Sequence, residues 1–195
     1  AVGCVTNDFG AKGLEHAHRL KCMSDAMSLR KHILENFDRA SLPTTAEEER
    51  KRLLSFVICG GGPTGVEVAA EIFDLIHEDI HKYFPSYLPH EANVHLLQHP
   101  SHILNTYSEK ISEFAEERFR KEKLNVVTNA HVDEITPTSV TYTLTNPLTE
   151  TQEKCTVPTG CTVWSAGVKM NDFTHLLSTT LPNQGHRHAL KAVSY

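Results

Sequence analysis

From residue 23 to residue 37 the apolar positions Met23, Ala26, Met27, Ile33, Leu34 and Phe37 recur in steps of three and four. That is the period of an amphipathic helix, with Ser24 or Asp25 as its expected cap. Ser41-Leu42-Pro43 interrupts it, and Thr45 with Glu48 stands at capping-box spacing ahead of a short charged helix. The continuous apolar run 55–59 predicts a buried strand, and a glycine cluster follows it directly. A long helix is expected over 64–84, with Val66, Ala69, Ala70, Phe73, Ile76, Ile80 and Tyr83 inward and Pro85 and Pro89 ending it. A second buried strand is expected at 94–98. A helix over 109–123 follows, with Ile111, Phe114, Ala115 and Phe119 facing the core. Strands are predicted at 124–127, 130–135, 139–145, 154–157 and 161–164, with Asn146-Pro147 marking a hairpin. After Phe173 the periodicity fades. This order predicts an α/β fold: a Rossmann-like parallel sheet with helices on both faces and a small antiparallel excursion.

Composition narrows the partners. The 195 residues are 39% hydrophobic and carry a net charge of −5 without any basic stripe, which argues against nucleic acid as a main partner. No run approaches the ~20 apolar residues of a membrane helix. Five cysteines (Cys4, Cys22, Cys59, Cys155, Cys161) form no Cys-x-x-Cys pair, which argues against zinc ribbons and a disulfide scaffold and fits a reducing compartment. The chain opens on Ala1-Val2-Gly3-Cys4-Val5, which reads as a strand, without a starting Met or a targeting segment. It is therefore expected to be a piece of a longer protein.

The candidate chemistry lies in Cys59-Gly60-Gly61-Gly62-Pro63-Thr64-Gly65, placed between a predicted strand and a predicted helix. Gly60 would permit the tight turn, Gly62 the approach of a pyrophosphate to the backbone, and Gly65 the close packing of helix on sheet. The helix N-terminus would meet the phosphates with free N–H groups. NADH or NADPH is the expected ligand. Gln98 ends the second strand, where an acidic residue would accept from both ribose hydroxyls and repel a 2′-phosphate. A neutral amide removes that repulsion, so NADPH is expected to be tolerated, with His99 and His102 as nearby cationic help. A rival motif, His77-Glu78-Asp79-Ile80-His81, matches a zinc peptidase helix. The charge of Asp79 and the prior role of the glycine loop count against it. The pairs His16/His18 and His186/His188 read as loop residues, and no metal site is expected.

With these residues in view, the sequence resembles the type II, non-proton-pumping NADH:quinone oxidoreductases of the fungal mitochondrial style, within the two-dinucleotide-binding flavoprotein superfamily. The stretch from Phe56 to Glu71 is similar to the family's NADH signature. So is Ser101-His102-Ile103-Leu104-Asn105 with Phe114-Ala115-Glu116 to its second βα unit, and Val163-Trp164-Ser165-Ala166-Gly167 to its returning strand. Leu20-Lys21 through Asp25-Ala26 resembles the domain-joining helix, and Glu47-Glu48-Glu49-Arg50-Lys51-Arg52 the fungal linker.

The resemblance implies hydride transfer from nicotinamide to FAD and electron transfer to quinone, in an enzyme peripheral to the mitochondrial inner membrane and able to form a homodimer. It places Gly60, Gly61, Gly62, Pro63, Thr64 and Gly65 around the pyrophosphate. Glu67 and Glu71 fall along the helix on the nicotinamide side, Gln98 at the ribose, and Ala166 and Gly167 near the cofactor through backbone. It divides the chain into 1–54 (the end of the FAD domain with connecting helices), 55–167 (the NAD(P)H domain) and 168–195 (the return to the FAD domain). Most FAD-binding segments have no counterpart here, so the chain alone is expected to be inactive, and no catalytic residue is named. The alternatives are a nucleotide-binding or interaction module without activity, or a ferredoxin- or disulfide-reductase type of flavoprotein.

Overall fold

The computed structural model describes residues 4–181. Its elements, in chain order, are β1 (Cys4–Thr6), β2 (His18–Arg19), α1 (Met23–Ser41), α2 (Glu47–Leu53), β3 (Ser55–Cys59), α3 (Pro63–Asp74), α4 (Tyr87–Glu91) and β4 (Asn93–Leu97). They continue with α5 (Glu109–Lys121), β5 (Asn125–Val127), β6 (Ala130–Ile135), β7 (Ser139–Thr145), β8 (Gln152–Pro158), β9 (Cys161–Trp164), β10 (Val168–Met170) and α6 (Asp172–Thr180).

The chain divides into two compact units. The larger, residues 10–165, is built on a parallel sheet of order β2-β9-β3-β4-β5 and an antiparallel meander β6-β7-β8. β3 sits mid-sheet because every one of its residues is buried: Phe56 and Ile58 face one side, Val57 and Cys59 the other. Opposite Phe56 and Ile58 stand Val94 and Leu96 on β4, and Cys161 and Val163 on β9. This face forms one core with Leu29, Ile33 and Phe37 of α1, Ala69 and Ile72 of α3, and Phe119 of α5. Phe37 stacks on Phe56 at 6.1 Å. Val57, Cys59, Leu97 and Trp164 are equally buried on the opposite face, and the meander brings its own buried residues Val132, Val140 and Tyr142. The sheet is thus covered on both sides.

The strands 130–135, 139–145 and 161–164 fall where the sequence places them, with the Asn146-Pro147 turn joining β7 to β8. Helix faces differ in detail. Met23 and Met27 are exposed, and the buried stripe of α1 is Leu29, Ile33, Phe37 and Ala40. The N-cap of α1 is Cys22 and not Ser24 or Asp25; Asp25 serves as N3, its carboxylate accepting from the N–H groups of Lys21 and Cys22. Thr45 does not cap α2: its hydroxyl donates to the Arg39 carbonyl at 2.6 Å, and Ala46 takes the cap position. The long helix stops being α-helical at Asp74 and continues as a π turn over Leu75–Asp79 and a 3-10 turn over Ile80–Lys82. The wider turn rotates the residues beyond it, so Tyr83 is 82% exposed and Phe84 packs inward instead. On α5, Ile111 and Phe114 point outward, because Ser112, Ala115 and Phe119 form the inward stripe and the Ser112 hydroxyl reaches the Leu104 carbonyl.

The described part of the smaller unit comprises residues 4–9 and 166–181. In it β1 pairs antiparallel with β10, Cys4 opposite Met170. α6 comes next, capped by Asn171, whose side-chain oxygen accepts from the Thr174 N–H at 2.8 Å. This helix occupies the stretch where the sequence periodicity is faint. The first three residues and His186/His188 lie outside the described residues.

Candidate functional site: the glycine crevice

The chain leaves β3 toward β4 on one side, while β9 flanks β3 on the other. The carboxyl end of β3 is therefore the switch point where open parallel sheets take their ligands. The glycine turn lies there, and its geometry separates the glycines by role. Gly60 has φ +113°, a conformation closed to other residues, and its N–H donates to the Leu97 carbonyl at 2.8 Å. A Cβ on Gly65 would lie 1.8 Å from the Gly60 carbonyl oxygen and 2.6 Å from Ser165 Oγ. A Cβ on Gly62 would meet nothing within 4 Å. So Gly65 serves internal packing, and Gly62 opens onto free space at the start of α3. No side chain caps that helix, Pro63 occupies its first position, and its first turn holds no acidic residue. The partial positive charge and the free N–H groups there remain available to an anion. The residues present fit a dinucleotide pyrophosphate.

Gln98 is only 6% exposed. Its Oε1 accepts from the Gly61 N–H at 2.7 Å, and its Nε2 donates to the His102 carbonyl at 3.2 Å. It braces the glycine turn from the end of β4. Leu104 N–H adds a bond to the Gly61 carbonyl at 2.7 Å. Ser165 Oγ donates to the carbonyls of Cys59 and Gly60 at 3.0 and 2.9 Å. Ser165 and Leu104 are supports that sequence reasoning misses; a Ser after a buried strand carries no distinguishing signal by itself. His99, next to Gln98 in the chain, lies edge-on to His131 with ring centroids 5.2 Å apart.

Pro63 and Thr64 are exposed at the helix start. Glu67 and Glu71 are exposed on α3 and line a groove of about 640 Å³ shared with Leu29 and Arg30 of α1. Ala166 and Gly167 belong to the smaller unit, where Gly167 adopts φ +65° and a Cβ would strike the Phe9 ring. The zinc-peptidase motif does not assemble. The π turn breaks its helical register, both histidines are exposed, and His77 stacks on Phe73 at 4.0 Å with Nδ1 bonded to the Phe73 carbonyl. All five cysteines are free, and burial pushes the thiols of Cys59 and Cys161 up to about 12, outside the range of a redox nucleophile. Among the described residues no helix is long and apolar enough to cross a membrane.

Comparison with known proteins agrees with this geometry. A family described as pyridine nucleotide-disulphide oxidoreductase matches residues 1–185. The external alternative NAD(P)H-ubiquinone oxidoreductase B1 of Arabidopsis thaliana mitochondria is 43% identical over 169 residues, covering 86% of this chain and 29% of that protein. The external NADH-ubiquinone oxidoreductase 2 of Saccharomyces cerevisiae mitochondria is 35% identical over 191 residues, 97% of this chain and 34% of that protein. Among solved structures, NDH2 of Plasmodium falciparum in complex with NADH superposes with a TM-score of 0.83 at 28% identity, over 95% of this chain and 37% of that one. The chain spans about a third of the length of these relatives. A glycine turn opening into a helix at the sheet's switch point, and matches that run nearly end to end, lead to one assignment: the chain belongs to the pyridine nucleotide-disulphide oxidoreductase family, and its relatives there are type II NAD(P)H:ubiquinone oxidoreductases.

Proposed function

We propose that this chain is the NAD(P)H-binding portion of a flavin-dependent NAD(P)H:quinone oxidoreductase. In the whole enzyme, hydride passes from nicotinamide to FAD and electrons then pass to quinone; FAD supplies that chemistry when bound. The chain's own residues bind and orient the nucleotide. The backbone of 60–65 receives the pyrophosphate at the start of α3, Gln98 fixes the turn and stands at the ribose end, and Glu67 and Glu71 run along α3. The observation that carries the reading is the contrast between Gly62, open to an incoming ligand, and Gly65, closed by its own fold. Residues 55–167 form the NAD(P)H domain, with connecting helices in 1–54 and the return toward the flavin domain in 168–195. Four strands of the parallel sheet (β3, β4, β5 and β9) and the crevice lie within 55–167 and support the first of these assignments. The edge strand β2 comes from 18–19, and the compact unit holding the sheet runs from 10 to 165. The setting is the mitochondrial inner membrane surface, where the enzyme works as a homodimer; the mitochondrial relatives support the organelle.

Nicotinamide selectivity follows from Gln98. It is neutral and buried, so the side chain that ends this strand carries no charge of its own to repel a 2′-phosphate. In Gln98→Glu the carboxylate keeps the bond from Gly61, loses the donation to the His102 carbonyl and adds a charge. Against a phosphate carrying −1.5 to −2 at ~5 Å, even water's dielectric gives about 1.5 kcal/mol, roughly tenfold. Calorimetric titration of the 195-residue chain with NADH and NADPH is the test. Both nucleotides should bind, and Gln98→Glu should weaken NADPH about tenfold relative to NADH. Binding of NADH with no NADPH would remove the Gln98 argument, and binding of neither would overturn the functional reading.

A further inference from the structure

Away from the glycine crevice, three ligating side chains converge from two neighbouring elements near the start of the chain and a strand far along it. His18 lies on the edge strand β2, His32 on α1 and Cys161 at the start of β9. His18 Nε2 and His32 Nδ1 are 2.8 Å apart, and both lie with Cys161 Sγ inside a span of 4.8 Å. We propose that His18, His32 and Cys161 form a zinc-binding site that ties α1 to the edge of the parallel sheet. Two imidazoles and a thiolate are the mixed, borderline-soft donor set that zinc takes with a fourth, open position.

The backbone holds these donors in place. One turn beyond His32, the buried Asn36 amide donates to the Gly160 carbonyl at 3.1 Å, which pins α1 beside the residue preceding Cys161. Arg52 donates to the Thr159 carbonyl at 2.8 Å on the same segment. His18 stands opposite Val163 in the β2–β9 register, so it rises from the sheet next to Cys161. Ordinary tetrahedral bonds of about 2.0–2.1 Å to nitrogen require the two nitrogens to be about 3.3 Å apart. The present pair has to open by only about 0.5 Å, exchanging one N–H···N bond for two Zn–N bonds. Both histidines are half-buried and Cys161 is 3% exposed, so an ion enters from the histidine side and meets the sulfur at the bottom.

The exchange balances. One of the two facing nitrogens carries the proton of the N–H···N bond, and that ring shifts tautomer through solvent. Zn²⁺ then binds both bare nitrogens, each ring staying neutral with its proton on the other nitrogen. It displaces one proton from the Cys161 thiol to solvent, and it keeps a water as fourth ligand, leaving a net +1 at the site. No oxidant or reductant takes part. Burial alone would keep this thiol protonated, and the metal is what removes the proton. Linear spacing carries no sign of the site, since its members are 14 and 129 residues apart along the chain.

The test uses the whole 195-residue chain, freed of metal with a chelator and titrated with zinc against a chromophoric competitor. Cobalt serves as the spectroscopic substitute. One equivalent should bind, with a sulfur-to-cobalt charge-transfer band in the near ultraviolet and a raised melting temperature on zinc addition. Cys161→Ser and His18→Ala should each remove the band or weaken binding by at least ~100-fold. Cys22→Ser and His81→Ala should change neither. Absence of stoichiometric binding, or a band that survives in Cys161→Ser, would overturn the proposal. If Cys161→Ser does not fold, zinc-edge X-ray absorption of the unsubstituted chain decides: one sulfur and two imidazole nitrogens support the site, and a shell of nitrogen and oxygen alone refutes it.

Discussion

Replacing Gly62 and Gly65 with alanine, one at a time, separates ligand binding from folding. At Gly62 the backbone has φ −73° and ψ −177°, which alanine adopts freely, and a Cβ meets nothing within 4 Å. The lost flexibility of the unfolded chain is worth about 0.4–1 kcal/mol in favour of alanine, and the poorer N-cap costs a comparable amount, so stability should stay within about 0.5 kcal/mol. The methyl group does fill the space through which a pyrophosphate reaches the N–H groups of α3. A hydrogen bond to a charged phosphate is worth about 1.5–3 kcal/mol, so losing one should weaken NADH roughly 10- to 100-fold. At Gly65 the Cβ would sit 1.8 Å from a backbone oxygen, and neither backbone segment can yield cheaply. Overpacking of this kind costs about 1–3 kcal/mol, which lowers Tm by about 2–12 °C in a chain of this size. Thermal melts and calorimetric NADH titrations of both variants supply the readings. Unchanged NADH affinity in Gly62→Ala would show that the nucleotide does not approach that backbone. Unchanged melting in Gly65→Ala would show that the close contact with Gly60 does not exist.

Other substitutions test the remaining parts of the structure. Phe37→Ala removes a fully buried ring stacked on Phe56 and tilted against Phe84, so a loss of about 3–5 kcal/mol is expected in denaturant unfolding. Asn36→Ala leaves the buried Gly160 carbonyl without its donor, and chemical denaturation should read a loss of about 1–3 kcal/mol. Burial holds the folded pKa of His95 below its ordinary 6.5, so the native state binds fewer protons than the unfolded chain. The His95 contribution therefore favours folding above that value and is lost as pH falls from 6.5 toward the folded pKa. Unfolding midpoints followed from pH 7.5 to 5.5 should fall less steeply in His95→Gln than in the parent chain.

The elements legible in the sequence are those whose pattern has one physical solution. The run Phe56-Val57-Ile58-Cys59 has no polar position to turn toward water, so a doubly covered central strand is the arrangement that satisfies it. Helix faces are less legible. Met23, Met27, Ile111 and Phe114 have helical spacing yet stand exposed, because each helix has more apolar residues than one contact surface can cover. Which stripe is used depends on the sheet residues opposite. At Tyr83 the phase is reset by a π turn that begins at Leu75, and no local residue announces that turn.

The glycine loop shows the same division. Its residues, its place between strand and helix and the class of ligand it suits are inherent in the sequence, because only glycine satisfies a positive φ at Gly60 and a backbone contact at Gly65. The burial of Gln98 beneath Gly61 and the bracing by Ser165 depend on strands separated by long stretches of chain, as does the meeting of His18, His32 and Cys161. Local propensity acts over a few residues, so the sequence by itself determines what each segment can do alone. Only the close packing of distant segments decides which side chains share a space, and with it which of them can act together.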